Sequence, residues 1–106
     1  MFARSVSIRL KPDCLAEFAK TLESEVIPYL RKQKGFQGEL TLVAPQGQEA
    51  ISISLWDEKK DADAYNERNY LEVQKALMSV LAGPPDVRTY EVSNSTFPQI
   101  AVPVES

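Results

Sequence analysis

Residues 51 to 57 read Ile51-Ser52-Ile53-Ser54-Leu55-Trp56-Asp57, and a charged turn then leads into a helix that carries Tyr65. Alternation of apolar and hydroxyl residues at a period of two marks a half-buried strand. Ile51, Ile53 and Leu55 are expected inward, with Ser52, Ser54 and Trp56 on the opposite face. Upstream of this stretch the chain reads strand, helix, strand, and downstream helix, strand, tail. The order is βαββαβ.

Upstream, Phe2, Arg4, Val6, Ile8 and Leu10 alternate with Ala3, Ser5, Ser7 and Arg9, which predicts a first strand with one apolar face. Lys11-Pro12-Asp13 stops it, and Asp13 is the expected N-cap of a helix. Leu15, Phe18, Leu22, Val26 and Leu30 form the buried stripe of that helix. Pro28 lies inside the stripe and predicts a bend. Gly35 supplies a left-handed stop. A second strand follows from Phe36 to about Ala44, with Phe36, Leu40 and Leu42 on one face. Pro45-Gln46-Gly47 suits a type I turn, so the strand containing Ser52 returns antiparallel.

Downstream, Asp57 is the expected cap of a short helix to about Glu67. Arg68-Asn69 marks a break, because a new stripe of Tyr70, Val73, Leu77, Val80 and Leu81 starts with a different phase. Gly83-Pro84-Pro85 ends the second helical segment, and Val87 to Asn94 is the fourth strand. Strands separated by helices, with a hairpin in the middle, define an α+β, ferredoxin-like sandwich: a four-stranded antiparallel sheet with the helices on one face. On these parities Ser5, Ser7, Ser52, Ser54 and Trp56 share the face away from the helices.

The domain is expected to span residues 1–96, leaving 97–106 as a tail. Phe97, Ile100, Val102 and Val104 in that tail are apolar, while Pro98 and Pro103 bar them from a central strand. An exposed apolar ribbon needs a cover, and the expected cover is a partner subunit in a two-fold homodimer.

At 106 residues the chain has room for one core. Its longest apolar run falls far short of the roughly 20 residues that cross a bilayer. Twelve Lys and Arg against 15 Asp and Glu leave a net charge of −3, which repels phosphate backbones. Neither a nucleic-acid nor a membrane partner is expected. Strand-like alternation from Phe2 leaves no space for a signal peptide, so the expected location is the cytoplasm. With no histidine and one cysteine, Cys14, the chain lacks a zinc ligand set and a Cys-His nucleophile pair. No metal or cofactor is expected.

Lys34-Gly35-Phe36, Leu55-Trp56-Asp57 with Tyr65, Gly83-Pro84-Pro85 and Arg88-Thr89-Tyr90-Glu91-Val92 together resemble the ABM-like proteins of the dimeric α/β-barrel superfamily, named after antibiotic biosynthesis monooxygenases. The resemblance runs from Phe2 to about Thr96. It implies two sheets closing into a barrel across a dimer, and in each subunit a pocket between helices and sheet. It also implies a planar, phenolic small-molecule ligand and oxygenation without a cofactor, or a non-enzymatic ligand-binding or accessory role. The heme-degrading branch uses an asparagine, a tryptophan and a histidine. Ser5, Tyr65 and about Lys75 stand at those places, which disfavours heme oxygenation.

Four residues are the candidate ligand contacts. Trp56 either stacks on a planar substrate and donates its indole N–H, or fills a dimer interface. Tyr65 either holds a substrate oxygen or anchors the core. Arg4 has the parity of the apolar face; inside, it needs an anionic partner, and fraying near the N-terminus is the expected escape. Asn69, like Asn66, flanks the helical break and either donates to a ligand or serves the backbone. Tyr70 and Tyr90 share the ambiguity of Tyr65.

Overall fold

The computed structural model describes residues 1–97, so the expectations placed on Pro98, Ile100, Val102, Pro103 and Val104 lie outside the described residues. Four strands, β1 (Phe2–Arg9), β2 (Phe36–Val43), β3 (Glu49–Trp56) and β4 (Asp86–Glu91), form one antiparallel sheet in the order β2-β3-β1-β4. The βαββαβ order and the central position of β1 and β3 are as expected. Gly47 N–H donates to Ala44 C=O at 2.8 Å, closing the predicted turn between β2 and β3.

The first helical segment comprises α1 (Leu15–Thr21), a π-helical stretch (Leu22–Val26) and α2 (Ile27–Arg31). Pro28 explains the π stretch. A proline has no N–H and its ring crowds the carbonyl four residues earlier, so the helix widens just ahead of it and Ile27 N–H reaches back to Leu22 C=O. Phe18, Leu22, Val26 and Leu30 stay buried on one side, as the stripe predicts. Asp13 does not cap this helix. It occupies the left-handed region at φ 62°, which aspartate tolerates, and Cys14 takes the N-cap position without a side-chain bond. Asp57 is likewise no cap: Glu58 precedes α3 (Lys59–Arg68), and Asp57 accepts a hydrogen bond from Gln37. The break at Asn69 is real, and α4 (Tyr70–Leu77) follows it.

The facing of β3 is opposite to the expectation. Its register pairs Arg4 with Ser54, Val6 with Ser52 and Ile8 with Ala50, so these residues share one face of the sheet. Val6, Ile8, Ala50, Ser54 and Trp56 are all buried there beneath the helices. Ile51, Ile53 and Leu55 therefore lie on the outer face, beside Ser5 and Ser7. β2 is also turned over after its first residue. Phe36 and Gly38 pair with consecutive residues of β3, leaving Gln37 as a bulge, so Phe36 faces the core while Leu40 and Leu42 face outward. The outer face is thus aliphatic rather than polar, with Leu40, Leu42, Ile51 and Tyr90 each about half exposed.

Candidate functional site

Between the sheet and the helices lies a cleft whose floor is β1 and β3 and whose walls come from the π stretch, α2, α3 and α4. It encloses about 520 Å³ of space not filled by atoms, its open mouth included, of which about 40 Å³ is roomy enough for the centre of a water molecule. The space is narrow. Val6, Ile8, Leu22, Val26, Val73 and Leu77 make most of its surface apolar, and Arg4, Ser52, Ser54, Tyr65, Tyr70 and Gln74 supply its polar groups.

The polar groups concentrate toward one end. On the floor Arg4 and Ser54 are cross-strand partners, while Ile8 and Ala50 pair four residues further along, about 13 Å away at strand rise. On the wall α4 runs in the same direction as β1. Tyr70 covers Arg4 at its start, and Val80 C=O receives Lys11 N–H just beyond its end. Charge and phenols therefore mark one end of the cleft and aliphatic side chains the other.

Arg4 is the centre of the polar end. It is only 3% exposed, so the expectation that fraying would expose it is corrected. The cation is held from above: its guanidinium carbon lies 4.0 Å from the ring centroid of Tyr70 and 5.2 Å from that of Tyr65. One terminal nitrogen donates to Asn66 Oδ1 at 2.8 Å. Among the described residues the buried Nε–H has no acceptor. No carboxylate pairs with Arg4 among the described residues. Burial holds the guanidinium below its ordinary value, with the two tyrosines pulling it back up. Arginine nevertheless stays charged at neutral pH.

Tyr65 and Tyr70 are the hydroxyl donors. Burial pushes the Tyr65 phenol well above its ordinary value, against the attraction of Arg4, and Tyr70 moves the same way for the same reason. Both remain protonated at neutral pH and can donate.

The remaining candidates fall outside the cleft. Trp56 is completely buried among Phe36 and Tyr65, stacked on Tyr65 at 5.1 Å, and its indole N–H already donates to Ser54 Oγ at 2.9 Å. It fills the subunit core, not the dimer interface offered as the alternative, and backs Tyr65 without lining the cleft. Asn69 accepts from the Tyr29 hydroxyl at 3.0 Å and donates to Gln33 at 2.9 Å, which ties the α3–α4 joint to the end of α2. Of the four candidates the structure brings Arg4 and Tyr65 together on the cleft. Ser52, Ser54 and Gln74 are the lining groups that sequence reasoning passed over, and correct pairing of β1 with β3 is the signal that finds the two serines. Tyr90 is on the outer face. Cys14 packs against the core at the far end.

Among the described residues no cluster of three or more Cys, Asp or Glu could hold a metal, and no helix is long and apolar enough to cross a membrane.

The solved structures that superpose on this chain share its fold, and antibiotic biosynthesis monooxygenase proteins are among them. A monooxygenase from the gene ActVA-Orf6 of Streptomyces coelicolor, in complex with nanaomycin D, matches with a TM-score of 0.76 at 18% identity, over 92% of this chain and 91% of the other. SnoaB, a cofactor-independent oxygenase from Streptomyces nogalater, matches at 0.72 and 13% identity, over 90% and 95%. A candidate antibiotic biosynthesis monooxygenase from Bordetella bronchiseptica matches at 0.75 and 18% identity, over 88% and 97%. Similarity at this level of identity shows the fold, and at least one further neighbour is of unknown function. No protein-family model and no curated protein matches the sequence.

Proposed function

We propose that the chain binds a planar, phenolic small molecule in the cleft between helices and sheet and oxygenates it without a metal or flavin. The observation that carries this reading is the buried Arg4 cation beneath two protonated tyrosines, at the polar end of a narrow apolar cleft. A flat ring suits the narrowness. Arg4 favours the ionised form of a bound phenol, and Tyr65 and Tyr70 donate to the oxygen on which charge builds. Reaction of such an anion with dioxygen turns a ring C–H into a carbonyl, one oxygen atom entering the product and the other leaving as water, with the substrate supplying the electrons. Two of the structural neighbours are named a monooxygenase and a cofactor-independent oxygenase.

A second reading has its own observation. Among the described residues the lining of the cleft includes no carboxylate, lysine or thiol, and the chain has no histidine, so none of these lining side chains accepts a proton at neutral pH. A ligand-binding or accessory protein on the same scaffold needs none. Oxygen uptake with quinol-type phenols separates the two. Uptake with product, lost in Arg4→Met and Tyr65→Phe, supports the oxygenase; saturable binding without uptake supports the second reading.

The homodimer belongs to the same proposal. Its support is the aliphatic outer face of the sheet, where Leu40, Leu42, Ile51, Ile53 and Leu55 line up across β2 and β3. The tail and a polar serine face are not needed for it.

A further inference from the structure

We propose that the ligand of the cleft is an acid, an amphiphile whose flat apolar body carries a carboxylate that pairs with Arg4. This rests on the reading of the cleft as a small-molecule site and adds the charge class of its occupant. Arg4 is 97% buried by its 3% exposure, lines the cleft, and has a buried Nε–H without an acceptor. A buried cation without a counter-charge is costly, and cation-π contact with Tyr65 and Tyr70 offsets only a part of that cost. An anion completes the site. Guanidinium forks match a carboxylate with two parallel hydrogen bonds, and Tyr65, which lines the same cleft, is a protonated phenol able to donate.

Carboxylate is favoured over phenolate by what the cleft lacks. With no base among its lining residues, the ligand must arrive already ionised. A carboxylic acid, with a pKa of about 4, meets that condition at neutral pH, whereas an ordinary phenol at about 10 does not. The oxidisable phenol of the proposed function then adjoins the carboxylate on the same flat body, so that Arg4 and the two tyrosines still act on its oxygen. The aliphatic end formed by Ile8, Leu77 and Val26 receives the rest of the ligand.

Calorimetric titration of the full chain with naphthoate, naphthamide and naphthol tests this, since the three share one flat body and differ in the head. The expected result is that naphthoate binds roughly ten- to a hundredfold more tightly than the two neutral probes, the range of a charge-assisted hydrogen bond. Arg4→Met, shown to be folded by circular dichroism, is expected to abolish that preference. Comparison of the three probes on the unaltered protein needs no variant, so a misfolded Arg4→Met leaves the test intact. Equal binding of all three, or a preference that survives in folded Arg4→Met, overturns the acid and leaves the small-molecule site standing. Binding of none overturns both.

Discussion

The guanidinium of Arg4 lies 4.0 Å above the ring centroid of Tyr70, and a single buried cation is thereby bracketed by aromatic faces instead of a carboxylate. The two residues stand 66 positions apart, at the start of β1 and the start of α4. Their contact fixes the polar end of the cleft, and its energetics are unusual. Replacing a buried charge by an apolar side chain of similar shape is often neutral or stabilising, because desolvation is relieved.

Arg4→Met is therefore expected to hold or raise the stability of the empty protein to within about 1 kcal/mol, while Arg4→Ala, which opens a void and exposes nothing to replace the stem, loses about 2 kcal/mol or more. Urea unfolding of the two variants checks this. A strongly destabilised Arg4→Met would mean that the aromatic bracket, not a ligand, is what Arg4 serves.

Ser54 and Trp56 form a second pair worth breaking. The Trp56 indole N–H is buried and has Ser54 Oγ as its acceptor at 2.9 Å. Ser54→Ala leaves that donor unpaired and is expected to cost about 1–3 kcal/mol, whereas Trp56→Phe removes donor and stack together and costs a similar amount through lost packing on Tyr65. In the double variant the cost should be well below the sum. Additive losses in a double-mutant cycle would deny the bond its part.

Alkaline pH should weaken the fold through Tyr65 and Tyr70. Burial raises both phenols above their ordinary value, so just above about pH 10 the unfolded chain has released these protons and the native one has not. The native state then binds more protons, and stability falls as pH rises through that window; below it the two groups contribute no slope. Removing both hydroxyls, in Tyr65→Phe with Tyr70→Phe, is expected to flatten the decline. Denaturant midpoints measured across that range, with the phenolate absorption followed in parallel, provide the comparison.

Gly35 is constrained twice. Its φ is 81°, where a side chain is strained, and a Cβ built on it would overlap the buried carboxylate of Asp61. Gly35→Ala should cost more than about 2 kcal/mol, combining the left-handed penalty with overpacking. Adding Asp61→Ala should restore only a part, since the Cβ of residue 61 stays in the way and the backbone strain is unchanged. Full rescue in thermal unfolding would show that φ is not the obstacle.

The fold was legible because its signals are local. Periodicity of the four strands, the Pro45-Gly47 turn, the stop at Gly35 and the phase break at Asn69 all act within a few residues. Facing was not, and the reason lies in β3. Ile51, Ile53 and Leu55 are the more hydrophobic set, but Trp56 and the Ser54 acceptor for its N–H belong to the other, and pairing with Arg4, Val6 and Ile8 decides for the latter. A sheet that carries apolar side chains on both faces defeats a one-face parity rule. The bulge at Gln37 adds a second flip that no apolar count contains. Arg4 has the parity of the core face in the sequence, yet the compensation that lets it stay inside comes from Tyr65, Asn66 and Tyr70, more than sixty residues away.

The outer face yields the last test. Leu40 pairs with Ile53 and Leu42 with Ile51 across β2 and β3, so four aliphatic side chains form one contiguous patch that no other described residue covers. Large apolar patches on a soluble protein mark interaction surfaces, and the dimer proposed above puts a second copy on this one. A second copy provides an equal patch, and two sheets packed face to face bury both at a separation of about 10 Å. Ile51→Glu and Leu42→Lys lie on one subunit's patch as a pair that would neutralise each other within a monomer but leave polar side chains in an apolar interface. The doubly substituted chain is therefore expected to stay folded, because neither residue touches the core, and to run as a monomer where the parent protein runs as a dimer. Sedimentation velocity reads the difference. A parent protein that is monomeric at all concentrations, with the variant indistinguishable from it, would remove the dimer while leaving the Arg4 cleft unaffected.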